Sequence, residues 1–332
     1  MTLRAAIIGC GQVAGGYDVT WPRSWSLTHA GAYALCADTT LVAAADPDAA
    51  ARDAFGERWG LSSLYPDHQT LLEAEEIDLV SIAAPTRRHA SIFADVLAAG
   101  PRGVWLEKPL SYDLAEAEAM CAAGGSCPVA VNYFRRWNST IVDLVTRVRG
   151  GEYGPVVHLT CYYTKGVVHN ATHAIDLALW LLGTCRHVEL LGGASERAGT
   201  LAGDAAASDD AALDFRLTFD GDIRADFIAV DGVTYRLYDL DLVCERARVQ
   251  LTQRGRELST SLPQVDPITG GFDVLAPATT IETDWRACSV RAVTDLVRSA
   301  RDGGLPACTL ADALAALRVA CHVRDARVTE ER

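Results

Sequence analysis

No apolar run in this sequence reaches the roughly 20 residues that a helix needs to cross a bilayer, so a membrane-spanning chain is not expected. Positive charge is scarce: 30 Lys and Arg stand against 43 Asp and Glu, a formal net charge of −13. Such a balance repels a phosphate backbone and an anionic membrane surface alike, and neither nucleic acid nor membrane is an expected partner. The opening Met1-Thr2-Leu3-Arg4-Ala5 lacks the flanks and cleavage site of a signal peptide, and a cytoplasmic location is expected. No CxxC pair occurs among the 10 cysteines, which are scattered along the chain and read as reduced, mostly buried small side chains. Internal repeats and extended low-complexity segments are also missing. What remains is a chain of 332 residues, 49% hydrophobic and 22% charged, which is globular and too long for one ordinary domain.

Four short apolar segments, Leu3 to Ile8, Leu41 to Ala45, Ile77 to Ala84 and Gly103 to Leu106, alternate with helical stretches. This alternation implies right-handed βαβ crossovers and a parallel sheet covered on both faces, a doubly wound Rossmann domain expected over residues 1–127. Ligands then gather at the carboxyl ends of the strands. Those ends carry Asp46-Pro47, Ala84-Pro85-Thr86 and Glu107-Lys108-Pro109. After Pro128 the pattern changes. Leu213, Phe215, Leu217 and Phe219 alternate with Asp214, Arg216 and Thr218, Asp220-Gly221 signals a hairpin, and Ile223, Ala225 and Phe227 resume the alternation. Residues 128–332 are therefore expected to form an α+β domain with a large, open, mainly antiparallel sheet. Its helices are expected near Trp285 to Ala300 and Thr309 to Arg324, and Ala198 to Asp209 reads as a surface loop.

The motif Gly9-Cys10-Gly11-Gln12-Val13-Ala14 follows the first strand and is expected to open a helix. Bare Cα atoms at Gly9 and Gly11 let backbone N–H groups reach a pyrophosphate, while Ala14 permits tight helix packing. Asp46, at the end of the second strand, is suited to accept the adenosine ribose hydroxyls and to repel a 2′-phosphate, so NAD is expected over NADP. Capping of the next helix is the alternative reading of the same residue. Asp46 stands further from Gly11 than the usual spacing of about 20 residues, because Gly16 to Leu27 reads as an insertion. It carries Tyr17, Trp21 and Trp25 and is read either as a lid or as a surface loop packed by its own aromatics.

A second constellation lies on Lys165-Gly166-Val167-Val168-His169-Asn170-Ala171-Thr172-His173-Ala174-Ile175-Asp176. If Asn170 begins a helix, His173 and Asp176 fall on neighbouring turns of one face, with His169 at the entrance. An imidazole with an unperturbed pKa near 6.5 suits acceptance of an alcohol proton, and Asp176 is placed to orient it. Tyr162, Tyr163 and Lys165 end a strand just before this segment and are candidates to hydrogen-bond a sugar, as is His89 more weakly. His169-x-x-x-His173 also has the spacing of a zinc pair, but no later ligand is evident and no metal is expected. A third reading makes these histidines members of a hydrogen-bonded core.

The phosphate loop, the Glu107-Lys108-Pro109 triplet and the Gly166 to Gly183 segment occur in the order seen in the Gfo/Idh/MocA oxidoreductases, and the chain resembles that family over nearly its whole length. The resemblance implies that Lys108 sits at the nicotinamide and the substrate hydroxyl, where an ammonium stabilises a developing alkoxide and joins proton transfer. It also implies that His173 approaches the substrate, that Asp176 is its acid partner, and that Arg135 and Arg136 face the cofactor crevice. An inter-domain structural pair is the alternative for the arginines. One departure stands out: where many inositol and glucose-type members place an Asp four residues before the histidine, this chain has His169, followed by Asn170.

The expected activity is thus NAD-dependent oxidation of a secondary sugar hydroxyl to a ketone. By resemblance to sugar 3-dehydrogenases of nucleotide-sugar and aminoglycoside antibiotic pathways, C3 is favoured and the product would pass to an aminotransferase. Ketosugar reduction with NAD(P)H, inositol oxidation and a non-catalytic NAD- and sugar-binding regulator are the alternatives. A homodimer or homotetramer joined through the open sheet is expected.

Overall fold

The computed structural model describes residues 2–19, 24–125, 127–192, 210–230 and 233–330. The loop expected at Ala198 to Asp209 and the Trp21 part of the insertion lie outside the described residues. Two compact units are present, one of residues 1–137 and 286–314, the other of residues 138–285 and 315–332.

The first unit is built on six parallel strands, β1 (Leu3–Ile8), β2 (Thr39–Ala45), β3 (Ser63–Tyr65), β4 (Leu79–Ile82), β5 (Gly103–Leu106) and β6 (Val129–Val131). Their order is β3-β2-β1-β4-β5-β6, the doubly wound arrangement whose strand order reverses between β1 and β4. Being covered on both faces, β4 and β5 are buried at every residue. Helices α1 (His29–Leu35), α2 (Ala49–Trp59), α3 (His68–Ala74), α4 (His89–Ala99) and α5 (Leu114–Gly124) connect the strands. Thr28, Asp48, Asp67 and Asp113 cap α1, α2, α3 and α5 by accepting their first free N–H groups.

The second unit opens with α6 (Ser139–Arg149), then β7 (Val156–Tyr163), α7 (Thr172–Leu182), β8 (Cys185–Gly192), β9 (Asp214–Phe219), β10 (Arg224–Ala229), β11 (Tyr238–Cys244), β12 (Ala247–Thr252) and β13 (Glu257–Ser261). A small ribbon of β14 (Pro263–Val265) and β15 (Asp273–Leu275) precedes β16 (Thr279–Glu282); the chain then returns to the first unit for α8 (Cys288–Asp302) and the start of α9 (Leu310–Glu330), whose remainder belongs to the second. The eight-stranded sheet runs β16-β13-β12-β11-β7-β10-β9-β8. It is antiparallel except for one parallel pair, β7 with β10. The hairpin expected at Asp220-Gly221 is present, with Gly221 and Asp222 both at positive φ, 75° and 59°, as a tight β-turn matched to sheet twist requires. Alternate residues of β9 and β11 are buried. The other face carries cross-strand ion pairs, Arg216 with Asp226 at 2.6 Å and Arg248 with Asp241.

The expected boundary after residue 127 is corrected by β6. Val129, Ala130 and Val131 pair in parallel with Val104, Trp105 and Leu106, so they belong to the first sheet. The first unit is also discontinuous. Helix α8 packs on β5 so closely that a Cβ on Gly103 would stand 2.9 Å from Leu296 Cδ1, and Val131 N–H donates to the Cys308 carbonyl. No apolar periodicity signals that a helix read as part of the second domain returns to the first.

Candidate active site

Candidate residues fall on both units, and each group is described within its own. In the first unit, β1 runs into Gly9, whose φ is 97° and whose added Cβ would lie 2.7 Å from the Ala84 backbone nitrogen. Gly9 is therefore required by the fold, because it lets the turn after β1 cross the end of β4. At Gly11 an added Cβ would meet nothing within 4 Å. Its missing side chain leaves open space on an exposed turn, the space that a close-approaching pyrophosphate needs. Gln12 is exposed beside it, Val13 is half-buried and Ala14 is buried. The expected helix does not follow directly: Gly15 and Gly16 N–H groups both reach the Gly11 carbonyl, the turn ends, and α1 begins only at His29. There the His29 and Ala30 N–H groups donate to the carbonyls of Val13 and Ala14. The insertion thus interrupts a helix whose second part is still hydrogen-bonded to its first. Asp18 closes the interruption by accepting from the Ser26 hydroxyl at 2.6 Å, the Leu27 N–H at 3.0 Å and the Thr28 hydroxyl.

Asp46 is not the helix cap of the alternative reading, since Asp48 caps α2. Its two carboxylate oxygens accept from the backbone N–H groups of Cys10 and Asp48, at 2.7 and 2.9 Å. The carboxylate is thereby tied to the glycine turn and retains unused lone pairs. Burial, and after it the Asp46 charge, push the Cys10 thiol up to about 12, so it is an inert thiol at neutral pH.

The Glu107-Lys108-Pro109 triplet follows β5 directly, with Lys108–Pro109 in the cis form. Lys108 is half-buried. Glu107 Oε1 accepts from Asn132 Nδ2 at 2.5 Å and faces His29 Nε2 at 2.9 Å. Burial alone would raise the Glu107 carboxyl, but His29, Asn132 and Lys108 outweigh it and hold the group below its ordinary value. Asn132 Oδ1 is buried and meets no hydrogen-bond donor. His89, a weak rim candidate from the sequence, is 1% exposed. Its nitrogens stand 2.9 Å from the carbonyls of Pro109 and Ala84, so it ties the triplet to the Ala84-Pro85-Thr86 end of β4 instead of facing a ligand.

Arg135 and Arg136 are 6% and 8% exposed. The Arg135 guanidinium lies over the Phe134 ring at 4.6 Å, and Arg136 is 3.6 Å from Asp312. Asp312 belongs to the same compact unit, so the Arg136–Asp312 pair is not an inter-domain one, the alternative reading of these arginines.

In the second unit, residues 164–176 are mostly buried, and the polar side chains that reach partial exposure are Lys165, His169, Asn170 and His173. Asp176 is 2% exposed. Asn170 does not begin the helix. A π-turn, Val167–Ala171, precedes α7, and Asn170 Nδ2 turns back to the Thr164 carbonyl at 2.6 Å. Such turns recur at functional sites because the extra residue re-aims its neighbours. Asp210 caps the turn, accepting from the N–H groups of Val168 and His169 at 2.9 and 2.6 Å. Lys165 holds a left-handed φ of 71°, the conformation that favours glycine. Tyr163 is a correction to the sequence reading: it is fully buried, and its hydroxyl donates to the Leu213 carbonyl and accepts from the Leu213 N–H. Tyr162, its neighbour, is 43% exposed.

Sequence reasoning missed Gly15, where a Cβ would stand 2.4 Å from Trp59 Nε1, as well as Asp210, His29 and Asn132. Among the described residues no group of three or more His, Cys, Asp or Glu side chains is gathered to hold a metal, and no helix is long and apolar enough to cross a membrane.

A parallel sheet of this order, a glycine turn open at Gly11 and an acid at the end of β2 define a dinucleotide-binding domain. Residues 3–133 match the model of the Gfo/Idh/MocA family, described as an oxidoreductase family with an NAD-binding Rossmann fold. D-apiose dehydrogenase of Paraburkholderia graminis is 30% identical over 153 residues, covering 46% of this chain and 37% of that protein. D-glucoside 3-dehydrogenase of Escherichia coli is 28% identical over 202 residues, 54% of each. These matches span about half the length, or less, of the curated relatives. The solved UDP-N-acetylglucosamine 3-dehydrogenase of Acidithiobacillus ferrooxidans superposes over 98% of this chain and 97% of its own with a TM-score of 0.78 at 19% identity, a likeness of fold.

Proposed function

We propose that the protein is an NAD-dependent sugar dehydrogenase, oxidising a secondary ring hydroxyl, at C3 by preference, to a ketone. One observation carries this reading. Of the 30 basic residues only two are lysines, Lys108 and Lys165, and all others are arginine. A guanidinium stays charged and cannot exchange a proton near neutral pH, whereas an ammonium is compact and tunable. A chain that uses arginine everywhere else keeps lysine at two positions, both on segments singled out by their chemistry.

The first unit fits the cofactor by the open space at Gly11, the anchored Asp46 carboxylate and the unsatisfied Asn132 Oδ1. Gly9, Gly11, Gln12, Val13, Ala14, Asp46, Ala84, Pro85, Thr86, Glu107, Lys108, Pro109 and Arg136 would hold NAD, which when bound takes up the hydride leaving the carbinol carbon. Lys108 and His173 handle the proton leaving oxygen, with Asp176 orienting the imidazole. Lys165, His169, Asn170 and Arg135 hold the sugar by donating to and accepting from its hydroxyls. The names of the two 3-dehydrogenases favour C3 and a glycosidic or nucleotide-linked sugar. A ketone product is the class of substrate that an aminotransferase consumes. The open sheet, with Tyr162 and Val243 exposed on its outer side, is the surface on which a homodimer or homotetramer would form.

The test is incubation with NAD and a panel of nucleotide sugars, glycosides, aminoglycoside intermediates and inositols, following absorbance of the reduced nicotinamide. Turnover of one sugar class, abolished in Lys108→Ala and His173→Ala, supports the reading. Silence across the panel and across the corresponding ketosugars with NADH, while NAD still binds, would leave a binding protein without turnover.

A further inference from the structure

A buried line of polar side chains runs away from Glu107 into the first unit. His29 Nε2 stands 2.9 Å from Glu107 Oε1, His29 Nδ1 stands 2.9 Å from Ser81 Oγ, and Ser81 Oγ stands 2.8 Å from Tyr33 Oη. His29 is 1% exposed, Ser81 and Tyr33 are fully buried, and the imidazole lies 3.8 Å from the Trp105 ring.

The chemistry of the end group fixes the first bond of the line. An ionised carboxylate only accepts, so Nε2 of His29 carries the hydrogen. With the ring in its neutral form, Nδ1 accepts from Ser81 and Ser81 accepts from Tyr33. Each hydrogen has one acceptor and all point toward Glu107. The line ends blind at Tyr33, inside the core, so it offers no path for a proton to leave. What it supplies is a fixed N–H aimed at the carboxylate next to Lys108. His29 also opens α1 and donates its backbone N–H to the Val13 carbonyl, so one residue links the glycine turn to the triplet.

We propose that His29 is the positioning residue of the Glu107–Lys108 pair, with Ser81 and Tyr33 holding its imidazole so that the carboxylate stays charged and fixed beside the lysine. The proposal rests on the dehydrogenase reading only for its catalytic consequence. Among the described residues, His29 from α1 and Lys108 from its own loop act on the Glu107 carboxylate, which in turn acts on His89 from α4. His29 is hydrogen-bonded to the carboxylate and is held from behind by the Ser81 and Tyr33 hydroxyls.

Two lysines in the whole chain make the test direct. Protein grown with lysine labelled with carbon-13 at Cε gives two side-chain resonances, assigned with Lys165→Arg, and each is followed against pH without substrate. In His29→Leu, which fills volume without donating, the Lys108 midpoint should fall by roughly one pH unit or more, as expected when a neighbouring charge is weakened. His29→Gln, which restores an N–H near the Nε2 position, should return most of the shift. Ser81→Ala, a milder variant should His29→Leu fail to fold, should move Lys108 the same way by less. With substrate, kcat/KM of His29→Leu should drop at least about tenfold, with the glutamine variant recovering most of it. Superimposable Lys108 curves in all variants, or equal curves for the leucine and glutamine variants, would overturn the proposal. A moved Lys108 in a protein that turns over no sugar would instead sink the dehydrogenase reading and leave the positioning role standing.

Discussion

The Cys10 backbone N–H donates to the Asp46 carboxylate at 2.7 Å, tying the glycine turn to the acid that ends β2. One side chain thus holds the shape of the turn, and on the proposed reading the same carboxylate receives the ribose hydroxyls. Replacement by serine removes a charge-assisted bond worth about 1.5–3 kcal/mol. Asp46→Ser should weaken NADH binding roughly 10–100-fold, at 1.4 kcal/mol per factor of ten, and weaken NADPH less or not at all. Fluorescence titration of both nucleotides reads the ratio, and an unchanged ratio would remove Asp46 from cofactor choice.

Gly9 and Gly11 should separate on substitution. Gly9→Ala forces a Cβ into the Ala84 backbone at positive φ and should cost about 2–5 kcal/mol from strain and overpacking together. Gly11→Ala meets only open space and should change stability by less than about 0.5 kcal/mol while lowering NAD affinity at least tenfold. Thermal melts beside nucleotide titrations check both halves. An unstable Gly11→Ala would mean that the turn, not the ligand, requires the glycine.

Lys165 carries a strained backbone that its neighbours enforce: Thr164 and Leu237 are bonded backbone to backbone, and a Cβ on Gly166 would strike Asp210 at 2.2 Å. Lys165→Gly relieves about 1–2 kcal/mol of left-handed strain against about 0.5–1 kcal/mol of added chain entropy. The variant should melt no lower than the parent yet show a sugar KM raised at least tenfold, and Lys165→Arg should fail to restore it. A fully active glycine variant would show that the ammonium does nothing for the substrate.

Burial holds the His89 imidazole below its ordinary pKa, although two carbonyls face it. In the interval between the folded value and the unfolded value of about 6.5, the unfolded chain binds more protons, so stability rises with pH. The contribution is complete above about pH 6.5 and is lost as pH falls below it. Melting temperatures measured between pH 7 and 5 should drop more steeply in the wild type than in His89→Asn. A steeper drop in the variant would mean that the buried ring is an imidazolium bonded to both carbonyls.

The parallel sheet was legible because its strands are continuous apolar runs, and β9 and β10 because Phe215, Leu217, Ala225 and Phe227 keep strict alternation around Asp220-Gly221. The glycine turn, Asp46 and the Lys108 triplet were legible as short local patterns at strand ends. What was not legible depended on distant partners. Tyr163 was read as a hydroxyl donor at a strand end, but its oxygen is taken by Leu213, fifty positions later. His29 belongs to no local pattern, and its bond to Glu107 spans 78 positions. The Asn170 helix start failed because a cap was sought next to the helix, whereas Asp210 supplies it from elsewhere in the sequence.

The interrupted first unit also has a consequence in time. Its sheet is finished once β6 has emerged from the ribosome, but α8, which covers β5, follows only after residues 138–285 have been made. At about 5–20 residues per second, the growing chain therefore waits roughly 7–30 s with part of that sheet bare. During this interval the apolar flank of β5, Leu296's later resting place, is open to chaperones and to other nascent chains. Synthesis speed through the second unit thus sets how long the nucleotide-binding unit is exposed to aggregation before it is complete.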